Sequence, residues 1–222
     1  MSKRRSQATA RRDQAPRVHV DEASLLGSIG RIDERGFAWV DVAGDILPIF
    51  ERARPVAFEV DPPVQTMVPP GVTIGFGVDL GLAFGRISVV HLDSWPTDVA
   101  GLTERALRNL RKRARHATDY DLVSEAVGGV PTTAFQSRDG WASTAVLVPE
   151  AIERLFGREP ALFIAPSRDL LVRLPAGVDL DFATWLTEEF EATDPNALQL
   201  EAFDWRDGLM RCRPLARDTV AV

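Results

Sequence analysis

At 222 residues the chain is long enough for one large domain or two small ones, and a chain of this size buries roughly 70% of its unfolded surface, so its core needs no disulfide or metal staple. Apolar residues make up 45% and charged residues 26%, with a net charge of −6, a balance that fits a soluble globular protein and offers neither nucleic acid nor an anionic membrane a global attraction. The single cysteine, Cys212, excludes an internal disulfide and fits a reducing compartment. No apolar run approaches the ~20 residues of a membrane span, and no apolar stretch follows the basic N-terminus as a secretory signal would require; the chain reads as cytoplasmic.

Residues 1–18 carry Lys3, Arg4, Arg5, Arg11, Arg12 and Arg17 against one acid, Asp13. Such a segment cannot bury enough apolar surface to offset its ordering entropy, and it reads as a disordered basic tail. Residues 19–94 read as a β-rich region. Asp21 or Ser24 is placed to cap a helical turn leading to Leu25 and Leu26. Phe37 to Val42 alternates, Ala43-Gly44-Asp45 offers a connection and Ile46 to Phe50 follows, which is a hairpin pattern. Pro55 to Val60 makes another strand. Val72 to Leu80 and Phe84 to Leu92 make two more around Gly81, the second apolar on both faces and therefore expected to be central.

Residues 95–222 read as an α+β domain. Between 94 and 116, Val99, Leu102, Ala106, Leu110 and Ala114 recur at three- and four-residue steps, the stripe of an amphipathic helix, with Thr97 or Asp98 at its start. A further helix is expected around Tyr120 to Ala126, then a Gly128-Gly129 turn and a strand near Thr132 to Gln136. In the unit from Trp141 to Pro175, a strand at Ala145 to Val148 meets Pro149, a favourable first helical residue. A short helix with Ile152, Leu155 and Phe156 on one side stops at Gly157. Strands Ala161 to Ala165 and Leu170 to Leu174 flank the turn Pro166-Ser167-Arg168-Asp169. A last helix, about Asp181 to Ala192, turns Phe182, Trp185, Leu186 and Phe190 inward and Glu188, Glu189 and Glu191 outward. Asn196 closes the next loop, and strands Leu198 to Trp205 and Leu209 to Pro214 meet at Arg206-Asp207-Gly208. From Ala142 the order is β-α-β-β-α-β-β. The link at 166–169 is too short for a parallel crossover, so the fold class is α+β: a mainly antiparallel sheet with helices packed on one face, preceded by a β-rich N-terminal part.

The sequence contains no reaction signature. Gly75-Phe-Gly77-Val-Asp-Leu-Gly81 places its third glycine one residue too late for a dinucleotide fingerprint, and no helix pattern opens inside it. Walker and nucleophile-elbow motifs are lacking. His19, His91 and His116 stand apart without metal-ligand spacing, and Cys212 sits alone in a strand, where it reads as a small hydrophobe. No cofactor or metal is expected. Two polar groups remain. Arg105, Arg108 and Lys112, with Arg115, share one side of the 94–116 helix, either as a solvated face or as a site for an anion or acidic partner. Glu188, Glu189, Glu191 and Asp194 offer such acids within the molecule or in a dimer mate. Arg168 and Asp169 lie at a sharp turn with Asp139 on a nearby loop, either as turn chemistry or as a polar cluster beside a cleft.

Gly140-Trp-Ala-Ser143 ahead of an apolar run, Pro166-Ser-Arg-Asp169-Leu-Leu, and Ala106-Leu-Arg-Asn-Leu110 resemble the DUF1444 (YtpQ-like) family of bacterial proteins over about residues 100–175. That resemblance implies a cytosolic bacterial α+β protein with no established activity, and it brings no catalytic residues. On its own residues the chain reads as a non-enzymatic binding or protein-interaction module, partnered by another protein or by a second copy of itself through unpaired terminal strands. The alternatives are a hydrolase or transferase with a dispersed site near Asp139, Arg168 and Asp169, and a nucleic-acid-associated protein using the arginine-rich tail and helix.

Overall fold

A computed structural model describes residues 38–51, 61–79, 84–118, 121–137, 140–194, 197–198 and 200–215. The expectations for the tail 1–18, for Asp21, Ser24, Leu25 and Leu26, for a strand at Pro55 to Val60, and for Gly81, Tyr120, Asp139 and Asn196 lie outside these residues.

Two antiparallel sheets and a set of helices make the fold α+β. The first sheet is built from β1 (Ile46–Phe50), β2 (Gln65–Val68), β3 (Val72–Asp79) and β4 (Phe84–Arg86), in the order β1-β3-β2 with β4 also pairing with β3. The second has six strands: β5 (Leu122–Val127), β6 (Val130–Gln136), β7 (Ala161–Ser167), β8 (Leu170–Pro175), β9 (Ala202–Arg206) and β10 (Leu209–Arg213), in the order β10-β9-β7-β8-β6-β5. Its hairpins turn where the sequence has turn residues. Gly128 and Gly129 have φ of 57° and 82°, and Asp207 and Gly208 have φ of 53° and 74°, the positive values that two-residue hairpin turns need.

The helices are α1 (Trp39–Val42), α2 (Val89–Asp93), α3 (Val99–Ala114), α4 (Pro149–Phe156) and α5 (Leu180–Glu191), with a 3-10 turn at Ser143–Leu147. The stripe of α3 is buried as its spacing requires: Leu102, Ala106 and Leu110 are fully enclosed against β1, and Asn109 Nδ2 donates to the carbonyls of Ala43 and Ile46 at 2.9 Å. Each enclosed leucine contributes roughly 1.5–3 kcal/mol. Helices sit on both faces of the six-stranded sheet, not on one face as the sequence suggests. On one, Ala183 and Leu186 of α5 meet Leu162, Ile164, Val172 and Leu174. On the other, α4 and the 3-10 turn join the first sheet in a shared core, where Phe50 stacks on Phe203 with centroids 5.9 Å apart and Phe156 meets Phe163 edge-on at 5.0 Å.

Five local expectations are corrected. Residues 39–42 form a helical turn, not the first arm of a hairpin: Trp39 and Val42, three apart, pack on the core while Val40 is 86% exposed. The strand expected over Phe84 to Leu92 ends at Arg86, because Ser88 and His91 make a capping box that starts α2. From Leu122 on, the helix expected around Tyr120 to Ala126 is strand, since Leu122 to Val127 pair across the Gly-Gly turn with Val130 to Phe135. The run Ala145 to Val148 lies in and beside a buried 3-10 turn; a short, uniformly apolar run carries no period that separates the two. Trp185, expected inward, is 47% exposed and leans on Phe182 with centroids 5.6 Å apart.

Candidate anion-binding site

The C-terminal end of α3 and the N-terminal end of α4 meet across a cleft of about 200 Å³. α3 begins with Asp98 accepting a hydrogen bond from the Gly101 N–H at 2.8 Å and ends in Arg111, Lys112 and Arg113, cations that suit the negative end of a helix dipole. α4 opens on Pro149, whose missing N–H costs nothing there, and carries Glu150 in its first turn. Burial of Ala151, Ile152 and Leu155 fixes the rotation of α4 and leaves Arg154 facing α3. Its guanidinium donates from Nη1 to the Ala117 carbonyl at 2.6 Å and from Nη2 to the Ala114 carbonyl. A side chain from the next helix thereby bonds two carbonyls at and just beyond the end of α3, of which that of Ala114 also accepts the Ala117 N–H. Small side chains of Ala114, Val148 and Ala151 form the floor of the cleft, and Arg111, Arg115, Arg154 and Glu150 form its walls. Three guanidinium groups and one carboxylate leave an excess of two positive charges on a protein whose net charge is −6.

Of the basic residues named on this helix from the sequence, Arg115 lines the cleft and Arg105, Arg108 and Lys112 do not. Arg105 lies with its guanidinium carbon 5.9 Å from the ring centroid of Trp39, a cation–π contact. Arg108 pairs with Glu104 one turn back, with both side chains more than half exposed, an arrangement that contributes at most a few tenths of a kcal/mol. Lys112 is exposed. Of the helix's cations, Arg111 and Arg115 reach the cleft, and Arg154 joins them from α4.

Arg168 and Asp169 perform a different task. The Asp169 carboxylate accepts the Gly140 N–H at 2.5 Å and the Ser137 hydroxyl at 3.4 Å, while its carbonyl accepts the Ser137 N–H at 3.0 Å. The Arg168 carbonyl accepts the Ser143 N–H at 3.1 Å. The Ser137 hydroxyl oxygen in turn accepts from the N–H groups of Trp141 and Ala142, at 3.2 and 3.0 Å. The β7–β8 turn is thus latched to the segment that delivers the 3-10 turn and α4. Asp139 lies outside the described residues.

A further polar group gave no sequence signal. Glu51, only 6% exposed, accepts hydrogen bonds from Gln65 Nε2 and Arg86 Nε, each at 2.7 Å, and lies over the bare backbone of Gly75. Its partners stand 14 and 35 residues away in the chain, so only the folded sheet assembles them. His91 Nδ1 meets Ser88 Oγ at 2.7 Å within its capping box. The Cys212 thiol is pushed up from its usual value, first by burial and then by the Glu201 carboxylate. Among the described residues no cluster of three or more His, Cys, Asp or Glu is placed to hold a metal ion, and no helix is long and apolar enough to cross a membrane. No protein-family model matches the chain, and neither curated proteins nor solved structures yield a significant match.

Proposed function

We propose that the chain is a cytosolic bacterial binding module, not an enzyme, and that its working surface is the basic cleft between α3 and α4. The observation that carries this reading is the convergence of Arg111, Arg115 and Arg154 from two helices around one concavity with an apolar floor. Guanidinium groups present fixed forks of donors that suit oxyanions. The resemblance of residues 100–175 to the DUF1444 family belongs with this reading and adds no reactive group. The test is a sulfate titration at low ionic strength, followed by amide resonances. Shifts confined to residues 111–115 and 149–154, and abolished in Arg111→Gln/Arg115→Gln, are expected. Shifts that are absent, or spread evenly over the surface, would remove the reading.

A second copy of the chain is the protein partner that the sheet edges favour. β5 and β10 each bond to a neighbour on one side only within the described sheet, and Val123 on β5 and Leu209 on β10 are 59% and 56% exposed. Edge strands of this kind pair readily with another chain. β10 carries Arg211 and Arg213, like charges that oppose self-pairing, whereas β5 has Glu125 as its one charge. Pairing through β5 is therefore expected, and light scattering that gives the same monomeric mass for the wild type and for Val123→Lys would dispose of it.

A further inference from the structure

We infer that the cleft takes the dianionic head of a phosphate monoester that carries a hydrogen-bond donor beside its phosphate. The inference rests on the reading of the cleft as an anion site and specifies its ligand. Charge is the first argument. Arg111, Arg115 and Arg154 against Glu150 leave two positive charges, while the helix ends, α4 positive and α3 negative, oppose one another. A phosphate monoester carries about −1.5 to −2 at neutral pH and matches this excess; a carboxylate carries half as much.

Shape is the second argument. A planar carboxylate is met in its own plane by one bidentate guanidinium. Arg111 and Arg115 from α3, and Arg154 from α4 with its Nη1 and Nη2 already donating to the Ala117 and Ala114 carbonyls, line the cleft from two helices, which suits an anion that accepts hydrogen bonds in three dimensions, as a phosphate does. At about 200 Å³ the cleft is smaller than the roughly 300–1,000 Å³ of pockets that enclose a whole drug-sized ligand. The phosphate and the atoms next to it enter, and the remainder of the ligand stays outside.

Glu150 supplies the third argument. Against a bare phosphate its carboxylate is a repulsive neighbour within the same wall. It becomes favourable when the ligand brings a donor alongside the phosphate, because an ionised carboxylate only accepts. Two sources share this chemistry. A small hydroxylated phosphate ester has an adjacent O–H, and a phosphoserine in a peptide has its own backbone N–H.

Calorimetric titrations of the full chain at low ionic strength test the assignment with glycerol 3-phosphate, a phosphoserine peptide, inorganic phosphate, and acetate and succinate as carboxylate controls. At least tenfold tighter binding of one phosphate ester than of acetate or succinate is expected, and the tighter of the two esters identifies the source. Arg111→Gln and Arg115→Gln should each lose most of that affinity while keeping the wild-type melting temperature; Arg108→Gln, on the same helix but outside the cleft, should keep it. Glu150→Ala, which removes both the charge and the acceptor, should tighten inorganic phosphate and erase the preference for the ester. Equal binding of carboxylates and phosphates would overturn the phosphate assignment and leave the anion site standing. No binding of any of the five ligands would overturn both.

Discussion

A methyl group added at Gly75 would stand 2.7 Å from Glu51 Cδ and 2.9 Å from its Oε2. Glu51 cannot retreat without loosening its bonds to Gln65 and Arg86, both of them short. Gly75→Ala is therefore expected to destabilise the protein by about 1–3 kcal/mol through overpacking and disturbed buried hydrogen bonds. For a chain of this length that lowers the melting temperature by roughly 2–4 °C per kcal/mol; a wild-type melt would show that the carboxylate has room to move. The glycine spacing around Gly75 gives no sign of this close approach in the sequence, because the crowding comes from a side chain 24 residues away in the chain, just after β1. Cys212 permits a prediction with a definite sign. Burial and Glu201 raise its thiol pKa in the folded state. Between the unfolded and folded values the unfolded chain has already lost the proton, so stability is complete below the unfolded value, near pH 8.5, and falls as pH climbs through the folded one. The wild type should lose more melting temperature between pH 8 and pH 10 than Cys212→Ala does; parallel losses would show that the thiol is not linked to folding.

Elements whose periodicity spans several turns were legible, and those whose ends are set by partners were not. The stripe of α3, the proline that opens α4 and the paired strands β7 and β8 stand where the spacing of apolar residues puts them. α2 and β5 do not, because Ser88 and His91 decide the first and the Gly128-Gly129 hairpin the second. In the cleft, Arg111 and Arg115 could be read as neighbours one turn apart on α3, but Arg154 reaches carbonyls 40 and 37 residues back, a link only the packing of α4 creates. The same holds for Asp169, which bonds the Gly140 N–H 29 residues away. A carboxylate that latches one element to another differs measurably from one that performs chemistry. Asp169→Ala leaves the Gly140 N–H without that acceptor and frees the Ser137 hydroxyl, an expected cost of about 1–3 kcal/mol. Asp169→Asn keeps an oxygen acceptor and should cost less. The ordering wild type, Asn, Ala in melting temperature is the expected result; equal stability of all three would contradict the latch.

Across the whole molecule, the apolar side chains of the first sheet and of one face of the second belong to a single core. Ile74, Phe76 and Val78 of β3 share it with Phe135, Phe163, Phe203 and Trp205 of the six-stranded sheet, and α3 and the 3-10 turn fill the space between. Neither sheet could expose its half of that surface to water cheaply, since each fully buried large apolar side chain is stabilised by roughly 1.5–3 kcal/mol. The two sheets are accordingly expected to unfold as one cooperative unit, a property of small, singly cored chains. The Phe50–Phe203 stack tests this, because it joins β1 to β9 across the core. Phe50→Ala removes a fully buried ring from the first sheet, at an expected cost of about 3–5 kcal/mol. If the core is shared, amide exchange in β7 and β8 should accelerate to the same extent as in β1 and β3, and the melt should stay single and shift as a whole. If the loss were confined to β1 and β3, with β7 and β8 retaining wild-type protection and a second transition appearing in the melt, the two sheets would be separate folding units, and the cleft between α3 and α4 would span their boundary.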